Sequence, residues 1–435
     1  MLKAERYPHL KVTDPEVYNL IQRQAALEGS TLKMIASENY ASFSVLEATG
    51  SSLTNKYCEG YPAARYYEGN EVMDEIENLA VNRLKALFGA EHANVQPLSG
   101  SPANQAVYRA IMKPGDKVMG IPVSEGGHLT HGWKVNFSGR DYVQVPFGPS
   151  QETGLLDYDQ IREIARREQP RMIWCGTTAY PRTIEYDKFA EIAEEVGAYL
   201  VADIAHISGL IAGGVHPNPV PYCDIVSSTT HKMMRGPRSG FILSRENDRY
   251  QQKYFPESKF NLAKRVDRAV FPGLQGGPHM NVVAAMAVAF GEAATPAFQE
   301  YAQQVVKNAR HLGACLTEGG IRLACGGTDT HMLLLDFRNE EITGKEVAEA
   351  LGRAGIIANF NMVPGDTRKP FVTSGVRMGT PGLTSMGMKE KEMEQVAQWI
   401  LRVVRALPES ADTEKQVRAE IAEYCKNFQI PGLDD

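Results

Sequence analysis

Residues 198–244 read AYLVADIAHISGLIAGGVHPNPVPYCDIVSSTTHKMMRGPRSGFILS, and they show the pattern on which the rest of the chain is built. Three short apolar runs, AYLVAD, CDIVSS and GFILS, have the length and composition of strands buried on both faces of a sheet. Each run ends in polar residues or at a turn. Polar side chains therefore collect where the strands stop.

The flanking sequence repeats this alternation of strands and helices. DKVMGIPV and RMIWC are predicted strands, and DQIREIARRE and KFAEIAEEVG are predicted helices. A further helix is predicted over Glu71–Phe88, with a C-cap at Gly89 and an apolar face that contains Ile76, Leu79, Ala80, Leu84 and Leu87. The pattern predicts an α/β protein with a mainly parallel sheet covered by helices on both faces.

The pattern changes after Gly291, where a long helix around Tyr301–Leu316 is followed by predicted strands at HMLLLDF and GIIAN and a helix over Lys389–Ala406. We expect an N-terminal arm (1–30), a large domain (31–295) and a smaller α+β C-terminal domain (296–435), with the boundary at Thr295–Pro296.

Composition excludes several classes of protein. The 435 residues are 43% hydrophobic and 23% charged, which is typical of globular rather than disordered chains. The net charge of −6 indicates neither a nucleic-acid nor a membrane partner. Six scattered cysteines and an N-terminus without an apolar signal core predict a cytoplasmic protein, and no metal site is predicted.

Lys232 is the first candidate for chemistry, because it follows a strand end and a run of hydroxyls. A lysine that forms a Schiff base needs such positioning and nearby hydrogen-bond donors, which Ser228, Thr229, Thr230 and His231 could supply. Taken alone, Lys232 could equally be a solvated loop lysine.

Asp203 supports the chemical interpretation. It ends the AYLVAD strand and is followed by His206. A carboxylate at the carboxyl end of a parallel strand faces the ligand crevice, and pyridoxal phosphate requires an acid beside its ring nitrogen. The alternative is that Asp203 only caps the next turn. The presence of Lys232, 29 residues later, disfavours that alternative.

Three weaker signals complete this set. The Ser99–Gly100–Ser101 turn opens a helix and could bind a phosphate through its backbone donors, although it is also a good helix start. The segment FPGLQGGPHM contains Gly276 and Gly277, which could approach the same phosphate or form a plain turn. Arg377 could bind a substrate carboxylate through two parallel hydrogen bonds.

Taken in order, the motifs resemble those of the serine hydroxymethyltransferase family over nearly the whole chain. They are IASENY, TNKYCEGYPAARYYEG, EGGHLTHG, DIAHISGLI, TTHK, GPRSG, FPGLQGGP, GTDTH and TSGVRMGTP. The resemblance implies a fold-type I pyridoxal-phosphate transferase of the aspartate aminotransferase kind, with a seven-stranded sheet. It also implies at least a homodimer, with a tetramer as the alternative, whose cofactor sites lie at the subunit interface.

The resemblance further implies the reaction, in which serine and glycine are interconverted with tetrahydrofolate through an external aldimine, Cα–Cβ cleavage and a quinonoid. Lys232 would form the Schiff base, Asp203 would pair with the ring nitrogen and His128 would stack on the ring. The other implied cofactor contacts are Ser99, Gly100, Ser101, Thr178, His206, Thr229 and His231, with Tyr57, Gly276 and Gly277 reaching across the interface.

Substrate positions follow from the same motifs. The residues implied to handle the amino acid are Ser37, Tyr57, Glu59, Tyr67, His206 and Arg377, with Glu59 moving protons beside the transferred carbon. The residues implied to contact the folate are Val123, Gly126, Gly127 and Asn361.

Several positions depart from the family pattern, and they leave the substrate open. The departures are Val123, Ser124, Glu125, Pro181, Thr330, Met386 and the charged stretch 245–268. Alternatives are an α-methylserine (D-alanine) hydroxymethyltransferase or a folate-independent β-hydroxy amino acid aldolase. A non-catalytic scaffold is disfavoured because Lys232, Asp203 and Arg377 are all present, and a nicotinamide dehydrogenase because no G-x-G-x-x-G follows an early strand.

Overall fold

The computed structural model describes residues 7–433, so residues 1–6 of the predicted arm lie outside the described part. The helices are α1 (Pro8–Thr13), α2 (Pro15–Glu28), α3 (Phe43–Thr49), α4 (Glu71–Phe88), α5 (Gly100–Ile111), α6 (Phe137–Arg140), α7 (Tyr158–Glu168), α8 (Tyr186–Val196), α9 (Ser208–Ala212), α10 (Gln251–Tyr254), α11 (Leu262–Val270), α12 (Met280–Ala293), α13 (Pro296–Glu318), α14 (Gly344–Arg353), α15 (Pro381–Ser385), α16 (Glu390–Arg405) and α17 (Ala411–Cys425). The strands are β1 (Leu32–Lys33), β2 (Gly60–Tyr61), β3 (Ala64–Arg65), β4 (His92–Asn94), β5 (Lys117–Gly120), β6 (Val143–Pro146), β7 (Met172–Trp174), β8 (Tyr199–Asp203), β9 (Ile225–Thr229), β10 (Gly240–Ser244), β11 (Met332–Asp336), β12 (Ile356–Ile357), β13 (Asn359–Asn361) and β14 (Gly375–Gly379).

A seven-stranded sheet forms the centre of the molecule, as the sequence predicts. Its strand order is β4-β10-β9-β8-β7-β5-β6, and only β10 runs antiparallel to both of its neighbours. Alternate side chains of β8 point to opposite faces: Tyr199 and Val201 join one hydrophobic cluster, and Leu200 and Ala202 join another. Both faces of the sheet are therefore covered, which requires the apolar strands that the sequence shows.

Helices cover the two faces in the way the alternation predicts. On one face α5 and α11 contribute to the cluster, and on the other α4, α7, α8 and α12 do. The predicted face of α4 is wrong at Leu79, which is 45% exposed, because the helix turns Met73, Glu77, Ala80, Leu84 and Phe88 inward instead. Gly89 does end the helix, with φ of 69°.

A second core follows in the C-terminal part of the chain. Strands β11, β14 and β13 form an antiparallel sheet, and β1 pairs in parallel with β12. Leu32, Met34 and Tyr40 therefore pack in this second core although they stand near the N-terminus. Helix α13 places Phe298 in the first core and Leu312 in the second. The division at residue 295 remains a prediction.

Across residues 7–433, no single helix is both long and apolar enough to cross a membrane. Helices α12 and α13 meet the limits of length and composition only as a pair, and they are bent by 79°.

The parallel strands bring the candidate residues to one edge of the large sheet. Strand β8 ends at Asp203, β9 ends at Thr229 shortly before Lys232, and β7 ends shortly before Thr178. Since parallel strands share the edge at which they end, these residues open into one crevice.

A buried ion pair ties the charged stretch 245–268 to the sheet and predicts a stability effect. The Asp248 carboxylate pairs with Arg265 and accepts a hydrogen bond from the Tyr199 hydroxyl on β8 at 2.7 Å, with the Asp248 side chain fully buried. We expect Asp248→Asn to lower the free energy of unfolding by about 3 kcal/mol, because Arg265 keeps an uncompensated charge. Equilibrium urea unfolding measures this loss.

The matched control is Asp412→Asn, which removes a fully exposed carboxylate. Its effect should stay below about 1 kcal/mol. Equal losses in the two variants would contradict the structural role of the Asp248 pair.

Candidate active site

Lys232 lies at the centre of the crevice, in the turn after β9. Its Nζ donates a hydrogen bond to the Thr229 Oγ1 at 3.1 Å, and its carbonyl accepts one from Asn39 at 3.2 Å. Burial lowers the pKa of Lys232 to about 8, although the nearby negative charge of Asp203 opposes the shift. A large fraction of this amine is therefore neutral and nucleophilic in mildly alkaline solution.

Asp203 is a buried carboxylate with a full set of donors. Its Oδ2 accepts hydrogen bonds from Asn104 at 2.8 Å and from His131 at 3.2 Å, and its Oδ1 accepts one from the backbone N–H of Ala205 at 3.1 Å. Burial alone would raise the pKa of Asp203, but the hydrogen bond and charge of His131 hold it well below its usual value. Asp203 is therefore an ionised acid inside the protein.

Behind Asp203 lies a support that the sequence analysis missed. The Thr130 hydroxyl accepts from Asn104 at 2.8 Å and donates to the Nδ1 of His128 at 2.7 Å, and the His131 ring stacks on Trp174 at 4.9 Å. The available signal was the three-residue spacing of the two histidines in GGHLTHG. His128, His131 and Asp203 have possible metal-binding atoms within 4.8 Å of one another, but here they are tied together by hydrogen bonds.

Two histidines in the crevice are held neutral. Burial lowers the pKa of His128 to about 4 and that of His206 well below its usual value. The His206 ring stacks against His331, with centroids 5.9 Å apart, and its buried Nδ1 has no hydrogen-bond partner in the described part of the chain. Such an atom is normally satisfied, so His206 Nδ1 is available to a ligand.

The Ser99–Gly100–Ser101 turn begins α5 beside the end of β9. Ser99 is the N-cap residue but makes no side-chain capping bond, which leaves the donors of the first turn free for an anion. Gly100 is required by packing, since a Cβ there would lie 2.7 Å from the Thr229 Cγ2. The turn thus brings a helix N-terminus close to Lys232.

Arg377 connects the second core to the crevice. From β14 its Nη1 donates to the Thr178 carbonyl at 2.6 Å, and its Nε donates to Asn359 Oδ1 at 3.2 Å. Within residues 7–433, no carboxylate forms an ion pair with it, and burial lowers the pKa of Arg377 to about 10. A guanidinium without an anionic partner is suited to bind a carboxylate ligand.

Thr178 also joins Arg377 to the loop after β5. Its Oγ1 donates to the carbonyls of Gly126 at 3.2 Å and Gly127 at 3.1 Å. Gly127 cannot be replaced without moving the backbone, because a Cβ would lie 1.7 Å from the Ile121 carbonyl oxygen. This loop also carries Val123, which is 40% exposed.

A second group of predicted residues lies apart from Lys232 on the surface. The hydroxyls of Tyr57 and Tyr67 donate to the two oxygens of Glu59 at 3.4 and 3.3 Å, and both tyrosines are about half exposed. Gly276 lies against Glu59 and Gly277 against Tyr57. In the described part of one chain, no hydrogen bond links this exposed group to Lys232 or Asp203.

Three predicted residues lie elsewhere near the crevice. Ser37 and His231 line an adjacent cavity together with Arg235, and burial lowers the pKa of His231 to about 3. Asn361 ends β13 and donates to the Met362 carbonyl at 2.7 Å.

The departures from the family pattern have local partners. Met386 is buried in the second core, and the Thr330 hydroxyl donates to the Pro181 carbonyl at 3.4 Å. Burial raises the pKa of Glu125, whose carboxylate lies near the Gly365 backbone and Arg338 rather than Lys232. These side chains are accommodated by packing between the two cores.

The arrangement fits pyridoxal phosphate. A lysine amine can hold its aldehyde, an ionised aspartate can pair with its ring nitrogen, and the start of α5 can take its phosphate. The buried, unpartnered Nδ1 of His206 offers a further polar contact beside these groups. Fold and site together define a fold-type I pyridoxal-phosphate enzyme.

Comparisons with known proteins then identify the family. The family profile described as serine hydroxymethyltransferase matches residues 10–400. The chain is 61% identical to "Serine hydroxymethyltransferase 2" of Mesorhizobium japonicum, covering 97% of this chain and 96% of the relative. It is 51% identical to the serine hydroxymethyltransferases of Acidothermus cellulolyticus (98% and 97% covered) and Sorangium cellulosum (98% and 97% covered). The chain belongs to the serine hydroxymethyltransferase family.

The lowered pKa of Lys232 predicts a pH profile. In the cofactor-free protein, the rate at which trinitrobenzenesulfonate modifies Lys232 should be half-maximal near pH 8, because only the neutral amine reacts. The exposed Lys415 is the control for access of the reagent to the protein surface. Peptide mass spectrometry resolves the two sites.

The sign of the electrostatic contribution can be checked with Asp203→Asn. Removing that negative charge should move the Lys232 midpoint to lower pH. A midpoint above pH 10 in the unaltered protein would contradict the burial of the amine.

Proposed function

We propose that this protein transfers the hydroxymethyl group between serine and tetrahydrofolate, with glycine as the other amino acid. The observation that carries the proposal is the set of three groups in one crevice: the Lys232 amine, the ionised Asp203 and the unpaired Arg377. They match an amino-acid substrate and a pyridoxal-phosphate cofactor, and the family named above supports the reaction.

The residues of the crevice would hold the cofactor by separate functional groups. Lys232 would bind the aldehyde, Asp203 would keep the ring nitrogen protonated, and Ser99 and Ser101 would donate to the phosphate. When bound, pyridoxal phosphate supplies an electron sink for the bond that breaks at the α carbon. His128 and His206 would contact the ring in their neutral forms. They would therefore add no positive charge beside it.

Arg377 would orient the substrate by its carboxylate. Its hydrogen bonds to the Thr178 carbonyl and Asn359 fix the plane of the guanidinium. A carboxylate can therefore bind to it in only a few orientations. The loop that Thr178 holds, with Val123, Gly126 and Gly127, would contact the folate together with Asn361. Ser37 would assist at the substrate carboxylate, and Thr229 and His231 would line the cofactor.

Glu59 would handle the proton beside the transferred carbon, and we propose that it does so in the neighbouring subunit. Two observations support the proposal. The tyrosine partners of Glu59 are exposed, and within the described part of one chain no hydrogen bond links this group to Lys232. Tyr57, Gly276 and Gly277 would reach across the same interface. A homodimer in the cytoplasm is thus the smallest active unit, and a tetramer remains compatible with this arrangement.

Glycine formation from L-serine tests the function. The purified holoenzyme should form glycine rapidly only when tetrahydrofolate is present. Arg377→Met should raise the KM for serine by about 100-fold, because a charge-assisted pair is lost, while the cofactor absorbance stays. The matched control, Arg310→Met, removes an exposed arginine of α13 and should leave KM unchanged.

Other outcomes of this assay discriminate between the candidate reactions. Faster turnover of α-methylserine to D-alanine would replace serine as the proposed substrate. Equal cleavage with and without tetrahydrofolate would indicate a folate-independent aldolase.

Mixing two variants of strongly lowered activity tests the shared site. Lys232→Ala and Glu59→Gln subunits, unfolded together and refolded at equal ratio, should recover about a quarter of the activity, since half the dimers would contain one intact site. Each variant refolded alone is the control. No recovery, with mixed dimers shown to form, would place Glu59 and Lys232 of the same chain in one site.

A further inference from the structure

A buried arginine holds the hairpin that carries Glu59. The side chain of Arg65 is 4% exposed, and its Nη1 donates to the carbonyls of Cys58 at 3.1 Å and Gly60 at 2.9 Å. These two carbonyls stand on either side of Glu59 in the chain. The guanidinium therefore binds the backbone on both sides of Glu59.

The other side of the Arg65 guanidinium is bound to α4. Its Nε donates to Asp74 at 2.8 Å, and its Nη2 donates to Glu77 at 2.6 Å. Glu77 is buried, and its second oxygen accepts from Gln96 Nε2 at 2.8 Å, an amide that also donates to the Gly60 carbonyl at 2.9 Å. The hairpin is thus tied by charged groups to a long helix of the first core.

The hairpin itself has little to hold its shape. Strands β2 and β3 are two residues each, and an isolated pair of this size is marginal in water. The Glu59 carbonyl accepts from the Tyr66 N–H at 3.1 Å, and the Tyr61 hydroxyl donates to the Asp267 carbonyl at 2.6 Å. The order of the partly buried Glu59 side chain must therefore come mainly from outside the hairpin.

We propose that Arg65, backed by Glu77, is a positioning residue that fixes Glu59 for its proton transfer without touching the substrate. The inference rests on the role proposed above for Glu59. The described contacts of Arg65 are to backbone carbonyls of the hairpin and carboxylates of α4, so it acts on the reaction only through the residue that it holds.

Two measurements on the paired variant Arg65→Met/Glu77→Gln test the proposal, since removing both charges avoids a lone buried carboxylate. Hydrogen exchange should become about 10-fold faster in the peptide that contains the Tyr66 amide and stay unchanged in β8. The kcat for serine cleavage should fall about 10-fold or more, with the dissociation constant of glycine unchanged. Arg83→Met is the control, because Arg83 ties α4 to the Ala287 carbonyl and, among residues 7–433, makes no hydrogen bond to the hairpin.

A double-mutant cycle with Glu59→Gln separates positioning from general damage. If Arg65 acts through Glu59, adding Glu59→Gln to the paired variant should lower kcat no further than Glu59→Gln alone. Should the paired variant fail to fold, Arg65→Lys, which keeps the charge but loses the fork, enters the same cycle.

The outcomes distinguish the inference from the function on which it rests. The positioning role would be overturned if hydrogen exchange in the hairpin did not change in the paired variant. It would also be overturned if the kcat losses of the paired variant and of Glu59→Gln multiplied when combined. Either result would leave the proposed role of Glu59 intact. A Glu59→Gln variant with full kcat would overturn that task and the inference together.

Discussion

The burial of one negative charge, on Asp203, organises the centre of this molecule. A carboxylate that is 8% exposed must be surrounded by donors, or it would take up a proton and lose its charge. The donors come from α5 through Asn104 and from the loop after β5 through His131, and the Trp174 ring supports His131. The hydrogen bonds to this one carboxylate therefore fix the positions of α5, the loop after β5 and strands β7 and β8 relative to one another.

The crevice depends equally on how the two cores meet. Arg377 belongs to the C-terminal sheet, yet its hydrogen bond to the Thr178 carbonyl reaches the loop that follows β7 of the large sheet. Helix α13 runs through both cores, and β1 returns the N-terminal chain to the second. The position of the Arg377 guanidinium in the crevice therefore depends on how the two sheets pack against each other.

One chain contains two chemically different surfaces, and the proposed function needs both. The Lys232 group is buried, and its lysine and histidines are shifted toward their neutral forms. Glu59 is only partly buried and lies between two half-exposed tyrosines. The first surface holds an ionised carboxylate beside an amine and imidazoles that burial shifts toward their neutral forms. The second supplies a carboxylate that keeps contact with solvent until another surface covers it, which is what a shared interface would provide.

The sequence by itself determined the class of fold and the candidate residues of the crevice. Apolar runs ending in polar residues predicted the central strands, and Lys232 and Asp203 could be found because parallel strands release their ends into one crevice. Strands β4 (HAN) and β6 (VQVP) were missed, since polar residues interrupt them and neither shows a continuous apolar run like that of the equally short β7 (MIW). Only the tertiary structure decided that Asn104 and His131 hold Asp203, across 99 and 72 residues, and that Arg65 holds the Glu59 hairpin. These contacts join side chains distant in sequence, and no local pattern specifies which buried donor meets which charge.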